Sequence, residues 1–252
     1  TAKALYPYGH PYSWLTIGYI EDLNRVNVND LKNFFLRWYG PNNATLTIGG
    51  DVNTKEVIKK VEKYFGSIPR GPEVKPVQLP PVNLTKKEYV SYVDNYAKLP
   101  MLQITYPTVP DYNADMAPLA CLAQVLGQGR TSALYQSLVK PQKALQASAY
   151  SGLDELAGTF SFTVIPLPGS NLSDMEKLVG ESLKEFEKKG VTDDDIAKFK
   201  NGFESRTINR LASVAGKASQ LAEFQTFTGN PDMIGKVLAM YNKVTKADVM
   251  RV

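Results

Sequence analysis

Apolar positions along this chain follow the helical period in some stretches and the strand period in others, and turn-forming residues separate the two. Leu31, Phe34, Phe35, Trp38 and Tyr39 share one helical face, with Asn29 placed to cap its N-terminus. That face is wholly apolar, so it must lie on something. Gly40-Pro41-Asn42-Asn43 stops the helix, because proline cannot continue it and asparagine tolerates turn geometry. Ala44-Thr45-Leu46-Thr47-Ile48 reads as a strand ended by Gly49-Gly50-Asp51. Thr54 then caps a second helix with Val57, Ile58, Val61, Tyr64 and Phe65 inward.

Pro69, Pro72, Pro76, Pro80 and Pro81 follow, which reads as an extended connector or as an edge segment lying flat on a lobe. Glu88-Tyr89-Val90-Ser91-Tyr92-Val93 alternates as a strand, and Met101 to Tyr106 as another, closed by Pro107 and Pro110. Asp115 through Leu126 is apolar on nearly all sides and predicts a deeply buried helix. Ala147 to Tyr150 and Gly158 to Ile165 form a strand pair with Phe160, Phe162 and Val164 inward. Ser173 caps a helix that carries Met175, Leu178, Val179, Leu183 and Phe186 on its core face and ends at Gly190. Thr192 to Asp195 has the form of a capping box, followed by a long helix with Ile196, Phe199, Phe203 and Ile208. Helices at about 214–227 and 232–241 finish the pattern. The expected class is α+β, a two-layer sandwich with one layer of helices and one of strands.

Charge and composition narrow the partners. Net charge is +4 with 21% charged residues, and basic residues alternate with acidic ones, as in Lys184-Glu185 and Glu187-Lys188. These are solvated helix faces rather than a stripe for nucleic acid. The apolar fraction is 43%, and no apolar run approaches the ~18 residues of a membrane helix. The single Cys121 lies in the apolar helix and reads as a core residue. Asp154-Glu155 falls in a hairpin loop and Asp193 to Asp195 at a helix start, so both acidic groups have structural explanations.

Ordered strings add a resemblance. His10-Pro11-Tyr12, Glu21-Asp22-Leu23, Tyr39-Gly40-Pro41-Asn42-Asn43-Ala44-Thr45-Leu46, Gly50-Asp51 and Phe65-Gly66-Ser67-Ile68-Pro69 closely resemble the zinc metallopeptidase family of pitrilysin, insulin-degrading enzyme and mitochondrial processing peptidase, the inverzincins. The resemblance implies a parent that encloses peptides in a chamber between two halves, holds them as an added strand and hydrolyses them with zinc. Chemistry in that family needs H-x-x-E-H, two histidines as ligands and a glutamate to activate water. His10 is the one histidine and is followed by Pro11, with no glutamate at the required spacing. It reads as a loop histidine that packs or hydrogen-bonds a turn. No catalytic or metal residue is therefore assigned here, and zinc is expected only in the parent.

The resemblance divides the chain into residues 1–68, the C-terminal tail of a first, catalytic-type lobe; 69–86, the proline-rich linker; and 87–252, the second, non-catalytic lobe. Val244-Thr245-Lys246-Ala247-Asp248 repeats the chemistry of Val26-Asn27-Val28-Asn29-Asp30, as a family built from two similar lobes would. The chain reads as an excised piece of a longer protein, inactive alone, that serves as chamber wall and substrate-positioning lobe. The alternative is a non-catalytic scaffold or binding subunit of the same family. Expected partners are the other half of the peptidase, a peptide substrate and, through apolar helix faces such as Leu31, Phe34 and Trp38, further copies of the chain. The opening Tyr8-Gly9-His10-Pro11-Tyr12-Ser13-Trp14 resembles that of long bacterial envelope peptidases, and the resemblance implies bacterial periplasm or cell envelope as the compartment.

Gly127-Gln128-Gly129-Arg130-Thr131-Ser132 is the loop with a chemical look. Its spacing fits neither a P-loop nor a dinucleotide fingerprint. The resembling family places a glycine-rich loop here, linked to substrate handling in the non-catalytic subunit of the processing peptidase, so the resemblance makes Gly127, Gly129 and Arg130 the candidate substrate contacts. A helix-to-helix turn needing positive φ is the plainer reading. Where active relatives carry a substrate-holding arginine and tyrosine, this chain has Val139 and Gln146.

Overall fold

The computed structural model describes residues 2–77, 79 and 82–252. In chain order the α-helices among them are α1 (Ala2–Leu5), α2 (Ile20–Leu23), α3 (Val28–Trp38), α4 (Thr54–Phe65), α5 (Met116–Gly127), α6 (Leu172–Lys189), α7 (Asp193–Leu211), α8 (Val214–Thr228), α9 (Ile234–Lys243) and α10 (Lys246–Arg251). The strands are β1 (Leu102–Thr108), β2 (Ala144–Leu153) and β3 (Gly158–Pro166). The chain falls into two compact units that interleave in sequence. One takes residues up to 14, 79–203 and 238–252; the other takes 15–77 and 204–237. Pro80 and Pro81 of the predicted linker lie outside the described residues.

The first unit is the expected two-layer α+β sandwich. Its sheet is antiparallel in the order β1-β3-β2, with Ile104 opposite Phe162 and Ala149 opposite Phe162 across the two ladders. Alternation along β3 sends Phe160, Phe162 and Val164 to one face, where they meet Leu119, Ala123 and Leu126 of α5 and Met175 and Val179 of α6. Hydroxyls populate the other face, and Thr105 and Ser161 bond across it at 3.1 Å. A second cluster joins Ala117 and Cys121 of α5 to Phe199 of α7 and to Val244 and Val249 at the start of α10. Pro107 does not close β1 but sits inside it opposite Thr159, which the outer position of β1 in this sheet permits. The predicted strand over Glu88–Val93 is irregular and pairs with no ladder among the described residues, and Tyr89, Val90, Tyr92 and Val93 are exposed.

Caps explain most helix boundaries, although several sit elsewhere than the sequence suggested. Asn27, rather than Asn29, caps α3: its side chain accepts from the N–H groups of Asn29 and Asp30, and Asp30 returns a bond to the Asn27 N–H. Asn53 caps α4 in place of Thr54, and Asn171 caps α6 in place of Ser173. The Thr192–Asp195 box is present, with Thr192 N–H donating to the Asp195 carboxylate at 3.0 Å and Asp195 N–H to the Thr192 hydroxyl at 3.1 Å. Thr245 and Asp248 make the same reciprocal pair at α10, so the repeated sequence at 26–30 and 244–248 repeats as geometry.

In the second unit, residues 44–48 are extended but form no ladder among the described residues, contrary to the strand expected there. They run beside α8, where Thr226 and Thr45 share a hydroxyl bond of 3.1 Å. Strand propensity states that a segment suits a pleated surface; a ladder also needs a neighbouring edge. Phe224 of α8 is buried, whereas Ile208 of α7 is exposed, as are Leu31, Phe34, Phe35, Ile58, Tyr64 and Phe65 of α3 and α4.

Candidate functional site

The glycine-rich loop is positioned by how α5 ends. Its buried side chains press the helix against the sheet so closely that a Cβ on Gly127 would lie 1.8 Å from the backbone nitrogen of Ala149 in β2. Glycine is required there by the approach of two backbones. Gln128 N–H still reaches back to Gln124 O at 3.0 Å, and Gly129 then turns the chain with φ +80°. Ser132 locks the turn, its hydroxyl donating to Gly129 O at 2.8 Å and its N–H to the same oxygen at 3.3 Å. The side chain of Gln136 donates to Arg130 O at 2.6 Å.

Of the three candidate contacts, Gly127 is buried and serves packing, while Gly129 and Arg130 are exposed. The Arg130 guanidinium has no ion-pair partner among the described residues. The loop thus offers a cation and open backbone at the surface, suited to a carboxylate or a peptide carbonyl. Its Gln128 and Ser132 N–H groups are already engaged within the chain.

After the loop comes a π-helical turn at Tyr135–Val139, followed by Gln142 at φ +58°. Val139 closes that turn and Gln146 is exposed on β2. Nothing local in the sequence revealed the Ser137–Ser182 hydroxyl pair, 2.9 Å apart across 45 residues.

His10 caps the 3₁₀ turn Pro11–Ser13 and is only 3% exposed. Its Nδ1 accepts from Tyr12 N–H at 3.1 Å, its carbonyl accepts from the Ser13 hydroxyl at 2.7 Å, and its ring stacks on Tyr6 at 4.6 Å. The Tyr12 hydroxyl accepts from Leu156 N–H at 3.0 Å, which ties this segment to the β2–β3 hairpin. Burial, and then the nearby Asp154 carboxylate, raise the Tyr6 hydroxyl pKa. Among the described residues no group of three or more His, Cys, Asp or Glu is disposed to hold a metal ion. A lone buried histidine with one nitrogen engaged does not fit a catalytic zinc.

Cys121 is fully buried, and that burial, with a smaller push from Asp195, drives its thiol pKa up to about 12. Thiolate is therefore scarce at ordinary pH. Iodoacetamide at pH 8 should leave Cys121 unlabelled in the folded chain and label it on denaturation; rapid native labelling would contradict the packing described here.

A family model described as the peptidase M16 inactive domain matches residues 25–203. The chain is 26% identical over 220 residues to the zinc protease PqqE of Helicobacter pylori, covering 85% of this chain and 49% of that protein. It is also 26% identical over 210 residues to the non-peptidase homolog YmxG of the same organism, covering 81% of this chain and 47% of that one. Its fold matches the crystal structure of a protease from Helicobacter pylori with TM-score 0.81 and 23% identity, over 96% of this chain and 59% of that one. The chain spans about half the length of the curated relatives it matches.

Proposed function

The chain belongs to the M16 peptidase family through its inactive domain, and from that premise we propose that it is the non-catalytic lobe of a zinc-dependent endopeptidase. In this reading it forms part of the wall of a peptide-enclosing chamber, while zinc and the water-activating glutamate belong to residues outside these 252. The match of the inactive-domain model across 25–203 carries the proposal. Gly129 and Arg130 would meet peptide substrate at the exposed loop, with Gly127 holding that loop against β2. A second half of the peptidase is the expected partner, and bacterial periplasm or cell envelope the proposed location.

A second reading, a non-catalytic scaffold subunit, is favoured by the likeness to a relative named as a non-peptidase homolog. Zinc content and hydrolysis of a quenched-peptide library, measured on this chain and on the longer protein that contains it, separate the two. The peptidase reading expects about one zinc and cleavage in the longer protein alone. Neither activity in either protein would support the scaffold, and cleavage by the 252-residue chain would overturn both.

A further inference from the structure

Beside the glycine-rich loop, within the first unit, lies an open cavity of about 350 Å³. Its walls come from the end of α5 and the loop after it, from the π-helical turn, from the C-terminal half of α6 and from the first turn of α7. Two backbone irregularities shape one wall. Lys140 N–H closes the π turn on Tyr135 O at 2.8 Å, and Lys143 N–H reaches Leu138 O at 2.9 Å around the positive φ of Gln142. π turns and left-handed non-glycine residues are uncommon, and both concentrate at functional sites. Leu134 and Leu138, fully buried, hold the turn from beneath. The turn itself brings Ser137 to Ser182, a residue 4% exposed.

The polar groups on the walls divide by whether they are engaged. Thr192 and Asp195 bond each other, Asp194 pairs with Lys198, and Gln136 donates to Arg130 O while accepting from Lys140. Thr131, Glu185 and Lys189 have no such side-chain partner among the described residues. Glu185 and Lys189 stand four positions apart on α6, the spacing at which opposite charges ordinarily meet, yet no ion pair joins them. An anion and a cation are thus left free one helical turn apart at the exposed edge, and Val125, Ala133 and Phe186 contribute apolar lining.

We propose that this cavity binds one α-amino acid with an apolar side chain. Its ammonium would lie at Glu185, its carboxylate at Lys189 and Thr131, and its side chain against Phe186. Hydrogen bonds to ionised groups are the strong ones, and the site offers one of each sign. At ~30 Å³ per water, a volume of about 350 Å³ is room for roughly a dozen waters, enough for a single amino acid. The inference needs only the cavity and stands apart from the peptidase reading, whose own test is zinc and cleavage.

Titration calorimetry of the 252-residue chain with L-leucine tests it. Saturable binding at one site is expected, with N-acetyl-leucine and leucine methyl ester each weaker by about tenfold or more because each lacks one of the two charges. Glu185→Gln and Lys189→Gln should each weaken L-leucine by a similar factor; both positions are exposed, so the fold is retained, and circular dichroism checks it. No saturable binding at millimolar leucine, equal binding of the N-acetyl form, or binding unchanged in both variants would overturn the proposal.

Discussion

Gly127→Ala should be the most damaging single-methyl change in the loop, lowering stability by about 3 kcal/mol and Tm by roughly 6–12 °C. The added Cβ would fall 1.8 Å from Ala149 N and 2.6 Å from Ala149 Cα. No rotamer relieves a clash between a Cβ and a strand backbone, so α5 or β2 must move, and both carry the main core. Gly129→Ala is the control. That position has φ +80° and nothing within 4 Å of the added methyl, so it costs only the left-handed backbone, about 1 kcal/mol. Thermal and urea unfolding of the two variants beside the parent chain decide the matter. If Gly127→Ala costs no more than Gly129→Ala, the close approach of α5 to β2 does not govern this loop.

Those two glycines also show where sequence reading reaches its limit. Gly129 was legible as a turn residue, because the loop had to reverse between two apolar segments. The reason for Gly127 was not, since it lies in Ala149, on a strand that no local pattern connects to the helix end. Alternation in β3 and the all-round apolarity of α5 were legible for the opposite reason: burial there follows from each element's own period. Caps fall between. Asn27, Asn29, Asn53, Thr54, Asn171 and Ser173 are all competent capping residues, and only the backbone decides which side-chain oxygen faces the free N–H groups. At Thr192 and Thr245 the threonine and aspartate three apart left one choice, and the structure uses it.

The candidate site was less readable than the fold. Sequence could pick out Arg130 as the cation of a glycine-rich loop, but what a lone exposed guanidinium binds depends on what comes to lie in front of it. The π turn was invisible because the same residues suit an α-helix; the widening accompanies the burial of Leu134 and Leu138 together, a tertiary condition.

The 252-residue chain by itself should self-associate through the second unit. Leu31, Phe34 and Phe35 of α3 and Tyr39, its C-cap, are 55, 51, 50 and 67% exposed. The aromatic rings among them lie close together, Phe35 and Tyr39 at 4.8 Å and Phe34 and Tyr39 at 6.2 Å. α4 adds exposed Ile58, Tyr64 and Phe65. A fully buried aromatic side chain removes ~150–250 Å² from water, so half-exposed rings and aliphatics on these two helices leave on the order of 800 Å² of apolar surface uncovered. Summed over the two helices, that is comparable with the ~800 Å² each partner contributes to a standard stable interface. Light scattering at micromolar concentration should therefore give a mass above the 27.9 kDa of one chain. Phe34→Glu combined with Phe35→Glu should return it toward the monomer, because a charge in each ring position makes covering the face costly. Circular dichroism should be unchanged, since neither side chain supports the α+β core. A parent chain that scatters as a monomer, or a double variant that assembles as well as the parent, would show that these faces are not what brings copies together.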